Sequence, residues 1–126
     1  MKKIISSNFA PKAIGAYSQA ITCNNLIYTS GQIPINPTTG KLVKDDIRLE
    51  ILQIMDNLSA ILQEGGSSLE NVIKFTIYLT DLSLFADLNN IFVELFNKNY
   101  PARSTIEVSG LPKGARVEID AIAVVL

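Results

Sequence analysis

Between Asp45 and Thr80 the spacing of apolar residues changes period, and that change constrains the fold more than any other feature of the chain. Ile47, Ile51, Ile54, Met55, Leu58, Ile61 and Leu62 recur at helical spacing behind an acidic start at Asp45-Asp46, and Gly65-Gly66 closes the segment as a helix C-terminus. The opposite face carries Arg48, Glu50, Gln53, Asn57 and Gln63, so the pattern predicts one amphipathic helix covering a core. From Val72 to Thr80 the period drops to two, with Ile73, Phe75, Ile77 and Leu79 inward and Lys74, Thr76 and Tyr78 outward. A second helix follows, capped by Asp81 or Ser83, with Phe85, Leu88, Ile91, Phe92, Leu95 and Phe96 as its apolar positions. It ends by Asn97-Lys98-Asn99, before Pro101.

Strand character occupies the two flanks. Ile4 and Ile5 begin an edge strand, and Asn8 to Ala13 around Pro11 reads as a loop. The run from Ile14 to Ala20 and the run from Leu26 to Pro34 are joined by Asn24-Asn25, which suggests a hairpin. Gly31 ends or bulges the second run; it either lets a ligand approach the backbone closely or is an ordinary strand-end glycine. The predicted order is therefore strand-strand-strand-helix-strand-helix-strand-strand, with too few helices to cover both faces of a sheet. An α+β fold with two helices on one face is the natural solution. Its other face, with Tyr28, Ser30, Tyr78, Ile122 and Val124, would then be partly apolar and uncovered, which points to a homo-oligomer.

The last quarter carries unusual charge for strands. Alternation places Arg103, Thr105 and Glu107 on one face of the first run. In the second, Arg116, Glu118 and Asp120 share one face and Val117, Ile119, Ala121, Ala123 and Val125 the other. If the runs pair antiparallel about a turn near Pro112, Arg103 falls near Asp120, Thr105 near Glu118 and Glu107 near Arg116. Two readings stand: cross-strand ion pairs worth a few tenths of a kcal/mol each, or a small anion site with a carboxylate beside it.

Composition narrows the chemistry. The 126 residues suffice for one domain, 1–126, with a real core. There is no histidine and a single cysteine, Cys23, so the chain has no imidazole base, no intramolecular disulfide, no His-paired thiol nucleophile and no thiolate or imidazole metal site. With 11 Lys and Arg against 12 Asp and Glu, scattered rather than clustered, it shows no electrostatic footprint for nucleic acid. Apolar runs fall short of membrane-spanning length. Met1 to Asn8 lacks the apolar region of a signal peptide, so a cytoplasmic location is the expectation.

Four stretches carry a resemblance: Ala10-Pro11-Lys12-Ala13-Ile14-Gly15-Ala16-Tyr17-Ser18-Gln19-Ala20, Thr29-Ser30-Gly31-Gln32-Ile33-Pro34, Pro101-Ala102-Arg103-Ser104, and Val117-Glu118-Ile119-Asp120-Ala121-Ile122-Ala123. Together they resemble the RidA/YjgF family of reactive-intermediate (enamine/imine) deaminases, in order and over essentially the whole chain. The resemblance implies a chorismate-mutase-like α+β fold, a homotrimer with clefts between subunits, and hydrolysis of enamines and imines such as 2-aminoacrylate to 2-keto acids and ammonia. It implies no metal and no cofactor. Arg103 matches the family's carboxylate-gripping arginine, and Glu118 the acidic residue that handles water or relays a proton. Tyr17, Ser30, Gly31, Asn89 and Thr105 match positions that line the substrate cleft. The alternative is a non-catalytic module that binds a 2-keto acid or amino acid in the same cleft.

Three positions depart from the family pattern. Ala16 replaces a frequent proline, which loosens the loop presenting Tyr17. Thr105 stands where many members have a cysteine, so thiol-based regulation does not carry over. Gly110 stands where a basic residue is frequent. Arg103 and Glu118 are untouched by these changes.

Overall fold

Segments of helical period and segments of period two build the molecule, whose computed structural model describes all 126 residues. Six strands, β1 (Lys3–Ile5), β2 (Ala20–Cys23), β3 (Leu26–Thr29), β4 (Val72–Leu79), β5 (Ala102–Glu107) and β6 (Val117–Val124), form one sheet in the order β1-β2-β3-β6-β4-β5. Two helices, α1 (Ile47–Glu64) and α2 (Phe85–Phe96), follow β3 and β4. The order of elements is the one the hydrophobic spacing predicts. Every strand pair is antiparallel except β4 and β5, which are parallel because α2 carries the chain back across the sheet between them.

Local chemistry sets the boundaries. Asn24 and Asn25 both adopt left-handed backbone, φ 51° and 64°, which is the two-residue turn a twisted hairpin favours. Asp46 caps α1, its carboxylate accepting from the Leu49 N–H at 3.2 Å. Asp81 caps a short 3-10 turn that feeds α2, accepting from Ser83 N at 2.8 Å, and Asn97 in left-handed conformation ends that helix.

Both helices bury their apolar stripes against one face of the sheet. A single cluster of 21 buried residues joins Ile51, Ile54, Met55, Leu58, Ile61 and Leu62 of α1 and Leu88, Ile91 and Phe92 of α2 to the strands. Phe75, Ile77 and Leu79 of β4 and Val117, Ile119, Ala121 and Ala123 of β6 supply the inner face. Phe75 is the hub: its ring meets Phe92 edge-on at 5.4 Å and lies 5.7 Å from Phe96. The opposite face has no covering layer, and Tyr28, Ile73 and Ile106 are exposed there.

Several expectations need correction. The closing runs do not pair with each other: β4 lies between β5 and β6, because a β4-α2-β5 crossover puts β5 outside β4. Arg103, Thr105 and Glu107 therefore have other neighbours than Asp120, Glu118 and Arg116. The Ile14–Gln19 run is a loop, and the hairpin strand starts at Ala20. Its partner stops at Thr29, after which Gln32 alone rejoins the sheet through a bridge to Ile119. Ile73 points outward because a bulge between Val72 and Lys74 shifts the register, giving Val72 the inward place. Glu50 and Asn57 of α1 are buried rather than solvated. Glu50 holds Arg116 through contacts of 2.5 and 3.2 Å, and Asn57 donates to the Ile35 carbonyl at 2.9 Å.

Removing the Phe75 ring leaves a hole beneath both aromatic partners. Phe75→Ala is expected to cost about 3–5 kcal/mol, read as a lower midpoint in urea or guanidinium unfolding with little change in slope.

Candidate functional site

The predicted site residues fall into two groups on opposite faces of the sheet. In the register of β4, Phe75 stands beside both Arg103 and Ala121, while Tyr78 stands beside both Glu118 and Ile106. Phe75 faces the helices and Tyr78, three residues on, faces away, so Arg103 and Glu118 project from opposite sides. Two strand spacings also separate them, about 10 Å sideways. Within one chain they do not meet.

The first group surrounds Arg103. One side of its guanidinium is held, Nη2 donating to Asn89 Oδ1 at 2.6 Å, and the group lies over the rings of Phe85 and Phe92 at 5.2 and 5.4 Å. No carboxylate pairs with it; the chain's two ion pairs are Arg48–Glu94 and Arg116–Glu50. Burial draws Arg103 below the ordinary arginine range, and it remains a cation at neutral pH. It opens on a hollow of about 320 Å³ formed with Asn89, Phe92, Val93, Tyr100 and Pro101. Thr105 lies two residues along β5 on the same face, and its hydroxyl oxygen is buried without a hydrogen-bond partner.

The second group lies in a cleft of about 420 Å³ where the uncovered face meets the 11–17 loop and the Pro112–Gly114 turn. Tyr17, Ser30, Gly31 and Glu118 all line it, with Lys12 and Lys113 at its wall. Gly31 makes room for Glu118: a Cβ at that position would stand 2.7 Å from the Glu118 carboxyl carbon. Burial raises the Glu118 carboxyl above its ordinary range, and the negative charge of Asp120 raises it further.

Side-chain amides and hydroxyls tie this cleft together. The buried Gln19 amide accepts from Ser7 N at 2.6 Å and donates to the carbonyls of Ser7 and Pro11 at 3.2 and 2.8 Å, closing the loop that carries Tyr17. Ser30 donates through its hydroxyl to the Ser18 carbonyl at 2.6 Å, and its N–H reaches Gln19 O at 2.8 Å. The Tyr17 hydroxyl accepts from Ile14 N at 3.2 Å.

Chemically, one group presents a held cation with no acid partner and the other a half-buried carboxyl whose proton affinity is raised. Sequence reasoning missed the aromatic shelf under Arg103, since Phe85 and Phe92 read only as core positions. It also missed Lys12 and Lys113, which carry no periodic signal. No group of three or more His, Cys, Asp or Glu side chains stands together that could hold a metal ion. No helix is long and apolar enough to cross a membrane.

Fold and site together define an α+β protein with an arginine free of any acid partner on one face of its sheet and a half-buried carboxyl on the other. The chain matches the family described as endoribonuclease L-PSP over residues 7–125, and it belongs to that family, which is the RidA/YjgF family its motifs resemble. It is 49% identical over 123 residues to a RutC family protein of Pyrococcus horikoshii, covering 98% of each chain. With the rat protein named 2-iminobutanoate/2-iminopropanoate deaminase it shares 45% over 124 residues, covering 98% of this chain and 90% of the relative. The crystal structure of YyfA, a conserved Rid-family protein of unknown function from Yersinia pestis, superposes with a TM-score of 0.95 at 47% identity, over 99% of this chain and 100% of that one.

The Gly31–Glu118 fit can be measured directly. Gly31→Ala is expected to push the Glu118 carboxylate aside and destabilise by up to about 1 kcal/mol, and the loss should largely vanish in a Glu118→Ala background. A double-mutant cycle by chemical denaturation reads this coupling, and additive losses would show that the two residues do not press on each other.

Proposed function

We propose that the chain is a hydrolytic deaminase of short-lived imines and enamines of the 2-aminoacrylate type, yielding 2-keto acids and ammonia. The observation that carries this reading is the pair of incomplete half-sites: Arg103 held with no acid partner on one face, and the half-buried carboxyl of Glu118 in a cleft on the other. A second copy of the chain, packed on the uncovered face, can bring one copy's Arg103 against another's Glu118. The exposed Tyr28, Ile73 and Ile106 favour such packing, and a homotrimer with three composite clefts satisfies all copies equally. The name of the rat relative supports the same chemistry.

In this reading Arg103 binds the substrate carboxylate through paired, charge-assisted hydrogen bonds, with Asn89 and the aromatic shelf fixing its plane. Tyr17 packs on the flat substrate, and the Ser30-Gly31 strand end lets it lie close to the backbone. Thr105, with its unpaired hydroxyl, stands beside the clamp as a substrate contact. An enamine first tautomerises to the imine, which as the iminium accepts water at carbon. Glu118 takes a proton from that water while the C=N electron pair moves to nitrogen, giving a carbinolamine. The protonated Glu118 then returns the proton to the amino nitrogen. The C–N bond breaks as the oxygen lone pair forms the carbonyl, and the hydroxyl proton leaves with ammonia as ammonium.

Coupled to a dehydratase that releases 2-aminoacrylate, the protein is expected to speed the appearance of pyruvate and ammonia. Arg103→Ala should reduce kcat/KM by about 10²-fold or more, the worth of two charged hydrogen bonds. Glu118→Gln should retain 2-ketobutyrate binding by calorimetry and lower kcat by about 10²–10⁴-fold. Wild-type binding of 2-ketobutyrate without turnover would favour a non-catalytic sensing role instead. Mixing the two inactive variants tests the composite cleft: recovered activity requires each site to draw on two copies, and failure to recover argues against it. The assembly mass in solution tests the trimer independently.

A further inference from the structure

Glu118 has a neighbour that the proposed reaction does not use. Asp120 lies two residues along β6 on the same face, about 7 Å away along the strand. Both carboxyls are half-buried, and neither has a cation within ion-pair distance. Tyr78 of β4 stands level with Glu118 in the strand register, yet its hydroxyl donates to Asp120 Oδ2 at 3.2 Å. The tyrosine thus holds Asp120 in place and leaves Glu118 turned to the cleft beside Gly31.

This is an arrangement of two half-buried like charges on one face of the sheet, with the Tyr78 hydroxyl committed to only one of them. Interacting carboxyls of this kind divide their protons unequally, because ionising the second opposes the charge of the first. The other ionisable groups near Glu118 are Lys12 and Tyr17 from the loop, Lys113 from the Pro112–Gly114 turn and Tyr78 from β4. Lys74 lies farther along β4, on the Asp120 side, where its charge pulls Asp120 back toward ionisation against the effect of burial. In the composite cleft, Arg103 of an adjacent copy adds one more cation.

We propose that Asp120, pinned by the Tyr78 hydroxyl, is a positioning residue for Glu118 that makes it a stronger base toward the attacking water. The proposal rests on the deaminase reading for its role in turnover, but the electrostatic link is a property of the folded chain. A base of this kind works only when ionised, so the rate falls on the acid side of its titration midpoint. Asp120 moves that midpoint up, and Asp120→Asn must move the acid limb of the kcat profile to lower pH. The expected displacement is about half a pH unit or more for charges at this separation. Asp120→Glu should restore the limb, and Tyr78→Phe, which frees the Asp120 carboxylate to turn toward solvent, should give a smaller displacement in the same direction.

The Glu118 carboxyl resonance provides a readout independent of turnover. In protein labelled with carbon-13 at the glutamate carboxyls, with Glu118→Gln used for assignment, its midpoint should fall in Asp120→Asn relative to wild type. A midpoint that does not move overturns the proposal, even where wild type is an active deaminase. A midpoint that moves in a protein with no deaminase activity supports the Asp120–Glu118 link and overturns the deaminase reading instead.

Discussion

The two-residue pleat of β4 decides on which face of the sheet Arg103 and Glu118 stand. Its inward residues, Phe75, Ile77 and Leu79, are fully buried, so the strand cannot slip by one position without turning three large side chains to solvent. Because that register is locked, the strands on either side are locked too. Arg103 lies level with Phe75 and faces the helices, whereas Glu118 lies level with Tyr78 and faces away. The separation of Arg103 and Glu118 is thus a consequence of core packing, and one copy alone does not bring the two side chains onto a single small molecule.

What the sequence revealed and what it hid follow the range of the interactions involved. Helix and strand existence, the Asn24-Asn25 turn and the inward residues of β6 are properties of a few consecutive residues, and periodicity exposes them. Pairing is different. That β5 runs parallel to β4, and that β4 separates it from β6, depends on where α2 returns the chain, which no local pattern encodes. The charged faces of the two runs were legible, but their partners were not. Glu107 accepts from Leu82 N at 3.0 Å, Arg116 holds Glu50, and Asp120 accepts from Tyr78. Glu50 was misleading for a related reason: its helical position looks solvated until Arg116, just ahead of β6, closes over it.

The surroundings of Arg103 and Glu118 manage charge in opposite ways. Arg103 keeps its charge despite partial burial because an amide oxygen and two ring faces replace part of its water shell. Glu118 sits where burial and a like-charged neighbour disfavour ionisation, and its proton affinity is raised accordingly. A cation that holds its charge suits permanent binding of an anion, while a carboxyl that gives it up easily suits proton traffic.

The Gln19 amide suggests how chains with this fold can diversify. By anchoring Ser7 and Pro11 to the start of β2, while Ser30 holds the Ser18 carbonyl, it leaves Lys12–Tyr17 as the span of the loop not tied to the sheet, the span that carries Ile14 and Tyr17 into the cleft. Lengthening such a span costs little closure entropy, about 0.6 kcal/mol per doubling, whereas adding one residue to β6 would reverse its buried and open faces. Changes in the shape of the cleft therefore have an inexpensive route through one wall, while the wall that carries Glu118 is held in register by the core behind it.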